Sequence, residues 1–154
     1  MVSTGSLSLQ VPYRVFPLRK PFPGLPDLKE TWAPILRVAI IVGHVTSKRF
    51  EAVVDSGSAV CLFHAQIGQQ LGLKLKEGDH DKLGGVVGAA MGDVWYHEIR
   101  LKVMADTIPI VAGFSEQLSV AAILCRHGFF EHFTVTFDPS STPPGFSIER
   151  VHRT

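Results

Sequence analysis

Phe50-Glu51-Ala52-Val53-Val54-Asp55-Ser56-Gly57-Ser58-Ala59-Val60-Cys61-Leu62-Phe63 is the stretch on which the reading of this chain turns. An apolar run enters, one acid followed by Ser-Gly interrupts it, and a second apolar run leaves. Continuous apolar runs of this length read as strands buried on both faces. A carboxylate between two such runs is costly to desolvate unless several donors hold it. Ser56 offers a hydroxyl, and Gly57 lets backbone pass close to the acid with no Cβ in the way. The plain alternative is an Asp-Ser-Gly turn between two strands, since these residues are ordinary turn formers. The apolar flanks are poor surroundings for a mere surface turn.

Working outward, Ile35 to Val42 and Arg49 to Val54 form a hairpin around Gly43 to Lys48, and its second strand delivers Asp55 to its end. Downstream, Ala65 to Leu73 carries Ile67 and Leu71 four apart on one helical face, with Gly72 as a stop signal. Lys74 to Lys82 is charged and reads as a loop. The Gly-rich run Leu83-Gly84-Gly85-Val86-Val87-Gly88 follows, leading to a strand over Val94 to Val103. It contains neither Gly-Lys-Ser/Thr nor Gly-x-Gly-x-x-Gly and enters a strand instead of a helix, so it reads as a mobile hairpin and not a phosphate loop. Ile108 to Phe114 is a further strand, and Val120 to Cys125 a buried one. A short helix is expected over Arg126 to Phe133, then strands over Thr134 to Phe137 and Phe146 to Val151. Near the N-terminus, Gln10 to Phe16 alternates as one edge strand within a Pro-rich extended arm.

The chain has 154 residues, 45% apolar and 19% charged, enough for one domain with a proper core. A net charge of +1 without a Lys/Arg cluster argues against nucleic-acid binding. Cys61 and Cys125 sit in apolar runs as small buried hydrophobes, not as a disulfide framework. The N-terminus lacks a basic segment followed by an apolar stretch, and no run approaches the ~18 apolar residues of a membrane helix, so a soluble, cytoplasmic protein without membrane contact is expected. No metal site and no cofactor are expected. His127 and His132 would point about 140° apart on a helix, and His-Glu-x-x-His is absent. A Ser hydrolase lacks its Gly-x-Ser-x-Gly elbow. A Cys125–His127 nucleophile pair is disfavoured, because i,i+2 neighbours seldom face one another and a buried thiol resists ionisation.

Three segments therefore stand in a fixed order: a strand ending in Asp55-Ser56-Gly57-Ser58, the Gly84-Gly85-Val86-Val87-Gly88 run, and Ile123-Leu124-Cys125-Arg126. This order resembles the retropepsin-like aspartic proteases, the retroviral enzymes and their single-domain bacterial relatives. The first segment is similar to that family's Asp-Thr/Ser-Gly-Ala/Ser motif, the second to its flap, and the third to its signature before the C-terminal helix. The resemblance covers roughly residues 35 to 138. Cys125 stands where the family usually has Gly, and Val87 where a flap Gly is common.

The resemblance implies a mainly β fold, the closed barrel of an acid-protease half with a Gly-rich flap hairpin and two short helices. It implies three segments: a Pro-rich arm over residues 1–33, the protease-like domain over 34–138, and a tail over 139–154 with room for an extra strand. It also implies a homodimeric endopeptidase acting on a peptide or protein substrate. With one Asp-Ser-Gly per chain, Asp55 from each subunit would form the acid pair, Ser56 would link the two loops, and Gly57 would make room for backbone beside the carboxylates. The competing expectation is the same fold kept as an inactive dimerisation or peptide-binding module.

Overall fold

The computed structural model describes residues 7–83 and 92–152. Strands β1 (Ser8–Pro12), β2 (Arg14–Pro17) and β3 (Glu30–Ala33) come first, then β4 (Ile35–Val42), β5 (Val45–Thr46), β6 (Phe50–Val54) and β7 (Leu62–His64). Helix α1 (Ala65–Gln70) and a 3₁₀ turn (Leu75–Glu77) follow, and the chain continues through β8 (Asp79–Leu83), β9 (Gly92–Val103), β10 (Asp106–Ser115), β11 (Ala122–Leu124), β12 (Phe133–Asp138) and β13 (Gly145–Arg150). The residues divide into two compact units, Leu36–Glu131 and a second built from Met1–Ile35 with His132–Thr154.

The central unit is a closed barrel. Its strands run in the order β4-β6-β11-β7-β10-β9, and a β4–β9 pairing shuts the ring, with β5 and β8 attached as outer strands. Closure removes the open edges that a short apolar sheet would otherwise present. The alternating strands supply the interior: Leu36, Val38 and Ile40 from β4, Leu101 and Val103 from β9, and Ile108, Ile110, Ala112 and Phe114 from β10 are all buried. Long β9 pairs with β10 along one edge and shares its other edge between two strands, residues 92–96 with β8 and residues 100–102 with β4. Its buried positions pass from even-numbered Val94 to odd-numbered Ile99 and Leu101 over that exchange.

Ordering within the ring carries the functional consequence. β6 and β7 are consecutive in sequence, yet β11 lies between them, parallel to β6 and antiparallel to β7. The connection holding Asp55 must therefore pass the end of β11.

α1 lies within the expected Ala65 to Leu73 stretch, but its buried residues are Ala65 and Gly68, and Leu71 is its C-cap. His64 caps it, Nδ1 accepting from the Gln66 N–H at 3.1 Å, and Gly72 adopts φ +84° just beyond its end. Three expectations are corrected. Residues 126–132 form turns and an isolated bridge, not a helix. The charged segment after Lys74 is not all loop, because Asp79–Leu83 pairs with β9. The single N-terminal strand is two, divided at buried Tyr13.

In the second unit, β1-β13-β12 form a three-stranded antiparallel sheet over Phe133, Phe146 and Ile148, and β2 and β3 form a separate two-stranded ribbon. Tyr13 joins their aromatic packing, stacking on Trp32 at 4.2 Å and lying 5.9 Å from Phe146 between ring centroids. Among the described residues no helix is long and apolar enough to cross a membrane.

Candidate functional site

Asp55 leaves the end of β6, where burial of Ala52 and Val54 fixes the strand, and its own side chain is exposed. Its N–H donates to the Leu124 carbonyl at 2.9 Å, continuing the parallel β6–β11 ladder by one bond. Gly57 N–H then donates to Asp55 Oδ1 at 2.8 Å. Taken alone this is the side-chain turn that Asp favours. A Cβ on Gly57 would stand 3.1 Å from the same Oδ1, a tight contact that the carboxylate would have to relieve by a few tenths of an ångström. Ser56 is exposed and Ser58 half-buried.

The far limb of the loop is tied to the chain leaving β11. Arg126 N–H donates to the Ser58 carbonyl at 3.1 Å and His127 N–H to the Ala59 carbonyl at 2.9 Å. Val60 and His127 form a parallel bridge. Asp55 to Ser58 and Ile123 to Arg126, almost 70 residues apart, are thus bound backbone to backbone on both limbs, and the turn projects its carboxylate from a clamped frame.

Two thiols lie beneath that frame. Cys125 N–H donates to Cys61 Sγ at 3.3 Å, and the Cys61 thiol donates to the His127 carbonyl at 3.5 Å. Both side chains are fully buried. Burial pushes the Cys61 thiol up to about 11 and the Cys125 thiol to about 12, the second opposed by a hydrogen bond from Ser58 and reinforced by the charges of Cys61 and Asp55. Neither is a nucleophile near neutral pH. The Cys125 thiol donates to the Ile123 carbonyl at 3.5 Å and lies beside Ser58 of the acid loop, so its side chain fills space against that loop. In the sequence Cys61 reads as a small buried hydrophobe, and its place three residues past Ser58 carries no signal that it bridges both signatures.

The turn region after Arg126 also contains a pair not foreseen. His127 Nδ1 lies 2.8 Å from Glu131 Oε1 on the surface, and Gly128 turns the chain with φ +105°. The Gly84-Gly85-Val86-Val87-Gly88 run lies outside the described residues. The strands on either side of it, β8 and β9, pair antiparallel up to Leu83 opposite Gly92. Beside that end, Asp93 Oδ1 lies 2.6 Å from Lys82 Nζ and 2.7 Å from His80 Nε2. These two hydrogen bonds, from Lys82 first, hold the Asp93 carboxyl below its ordinary range. Among the described residues no cluster of three His, Cys, Asp or Glu side chains could hold a metal.

No family model matches the sequence, and no curated protein matches it. Solved structures do. A retropepsin-like aspartic protease from Rickettsia conorii aligns over 74% of this chain and 88% of its own, with a TM-score of 0.52 and 14% identity. The retroviral protease-like domain of Ddi1 from Leishmania major aligns over 66% and 80% (TM-score 0.48, 19% identity). The EIAV protease complexed with the inhibitor HBY-793 aligns over 61% and 82% (TM-score 0.45, 18% identity). The fold is therefore that of the retropepsin-like aspartic proteases: a mainly β chain with a closed six-stranded barrel.

Proposed function

We propose that the protein is an aspartic endopeptidase whose acid pair forms from Asp55 of two identical chains. The observation that carries this reading is an exposed carboxylate on a loop clamped at both limbs by the chain end of β11, in a chain of retropepsin-like fold. One subunit supplies one acid. Two carboxylates about 3 Å apart cannot both ionise, so the pair shares a proton and titrates as a unit. The ionised member takes a proton from the attacking water while the other donates to the peptide carbonyl oxygen. Ser56 links the two loops across the twofold axis, and Gly57 keeps its N–H beside the acid. Ser58, Ile123, Leu124, Cys125 and Arg126 hold the loop, and the run from Gly84 to Gly88 closes over an extended peptide and excludes water. The dimer forms through strands of the chain ends, β12 with β1 and β13. No cofactor takes part.

Asp55→Asn is the test. The amide fills the same space and still accepts from Gly57 N–H, so the variant should fold and associate as the wild type does while peptide hydrolysis falls at least about 10³-fold. A mixed peptide library at roughly pH 4 to 7, where a shared-proton pair works, is the substrate. Cleavage by the variant at the wild-type rate would show that another group does the chemistry. Peptide binding by the wild type without any cleavage would favour the second reading, an inactive peptide-binding module.

A further inference from the structure

The most unusual surface of the molecule is the ribbon of β2 and β3 with its long tip. Pairs run from Arg14 opposite Ala33 to Pro17 opposite Glu30, and the Leu18 N–H donates to the Lys29 carbonyl at 2.9 Å. The tip is itself built: Leu25 N–H donates to the Phe22 carbonyl at 3.0 Å around Pro23-Gly24, where Gly24 has φ +83°, and Leu28 N–H donates to the Leu25 carbonyl at 3.2 Å. Pro17, Pro21, Pro23 and Pro26 stiffen it further.

This ordered element is apolar and uncovered. Val15, Phe16, Phe22, Leu25, Leu28 and Trp32 are each between 37% and 54% exposed, half of the twelve large apolar side chains that the described residues leave open. Together they present on the order of 500 Å² of apolar surface, spread over the two faces of the ribbon and its tip. A two-stranded ribbon is marginal in water by itself. A stiff, preformed apolar projection binds with little ordering cost.

We infer that this hairpin is a clasp that grips a second copy of the same chain. The choice of occupant rests on the shared-acid reading above, under which the working site is incomplete without that copy. Three observations favour it over other partners. The hairpin belongs to the same compact unit as the β1-β13-β12 sheet, whose outer strands β1 and β12 each have, among the described residues, a strand neighbour on one side only. Leu7 and Leu9, beside and within β1, are exposed as well and bring the apolar area towards the roughly 800 Å² per partner of a stable dimer. A bilayer would take the tip alone, whereas Val15, Phe16 and Trp32 expose the stem too. Charges on residues 14–33 are mixed, with Asp27 and Glu30 among Arg14, Arg19, Lys20 and Lys29, so self-association is not barred by one sign of charge.

The experiment reads association and does not depend on cleavage. Val15→Asp with Leu25→Asp, one change on the stem and one on the tip, should raise the dimer dissociation constant measured by sedimentation at least about tenfold. In the unaltered protein, amide exchange over residues 14–33 should lose protection on dilution in step with the dimer fraction, a measurement that stands even if the variant does not fold. An unchanged dissociation constant, or protection indifferent to dilution, overturns the clasp. So does vesicle binding, with phosphatidylserine in phosphatidylcholine as the probe, that the variant loses while self-association is unaltered. A clasped dimer that cleaves nothing leaves this inference standing and removes the protease reading instead.

Discussion

Cys61 shows how much one buried thiol can organise. Its sulfur accepts from Cys125 N–H and its proton goes to the His127 carbonyl, so it bridges the two sides of the frame that holds Asp55. Cys61→Ala should cost about 1–3 kcal/mol, the usual penalty of a buried N–H left without its acceptor, whereas Cys61→Ser keeps both roles and should recover most of it. The thiols also make a pH prediction. Folding raises Cys61 from 9.0 to about 11 and Cys125 from 9.0 to about 12, so the folded state holds protons that the unfolded chain releases. This stability is complete below about pH 9 and is lost as pH rises towards about 11 for Cys61 and about 12 for Cys125, at about 1.4 kcal/mol per pH unit for each thiol. Tyr13 and Tyr96 are raised by burial and add a loss of the same sign. Urea unfolding from pH 8 to 10.5 should therefore fall less steeply for Cys61→Ala than for the unaltered chain. Equal slopes would mean that solvent reaches the Cys61 sulfur.

At the scale of elements, the junction of β7, β10 and β9 depends on a residue with no side chain. Gly113 lies opposite Leu62 of β7 and Tyr96 of β9, and its N–H donates to the Cys61 carbonyl at 2.9 Å. A Cβ there would meet Val94 Cγ2 at 2.7 Å and Leu62 Cδ2 at 2.8 Å. Val94 is stiff and fully buried, so the strands and not the side chain must give way. Gly113→Ala should destabilise the barrel by about 1–3 kcal/mol, the ordinary range for overpacking. A change in denaturant midpoint worth under about 0.5 kcal/mol would show that the sheet yields here at little cost.

For the whole molecule the decisive number is one Asp-Ser-Gly per chain. If the acid pair is shared, activity belongs to the dimer alone. Specific activity should fall on dilution in proportion to the dimer fraction, and Asp55→Asn chains in excess should poison the unaltered ones by forming pairs with a single acid. Light scattering alongside a dilution series of peptide cleavage checks both. Constant specific activity in a demonstrably monomeric sample would remove the shared pair and, with it, the protease assignment.

Much of the barrel could be read from residues alone, because its strands are local patterns. Apolar runs on either side of Asp55-Ser56-Gly57 and the order of the signature segments are written in consecutive residues. What sequence could not carry is what non-local pairing decides. The charged strand Asp79–Leu83 has no apolar alternation and exists because β9 offers an edge to pair with. The helix expected after Arg126 does not form because His127 N–H is spent on the Ala59 carbonyl and Gly128 turns the chain at φ +105°, so distant backbone groups outbid a local propensity. Cys125 stands where close backbone contact would suggest glycine, and only the tertiary structure shows its thiol donating to the Ile123 carbonyl while lying beside Ser58 of the acid loop. Sequence supplied an acid in a turn. Insertion of β11 between β6 and β7 made that turn a held site, since only strands brought together from far along the chain can saturate the backbone on both of its limbs.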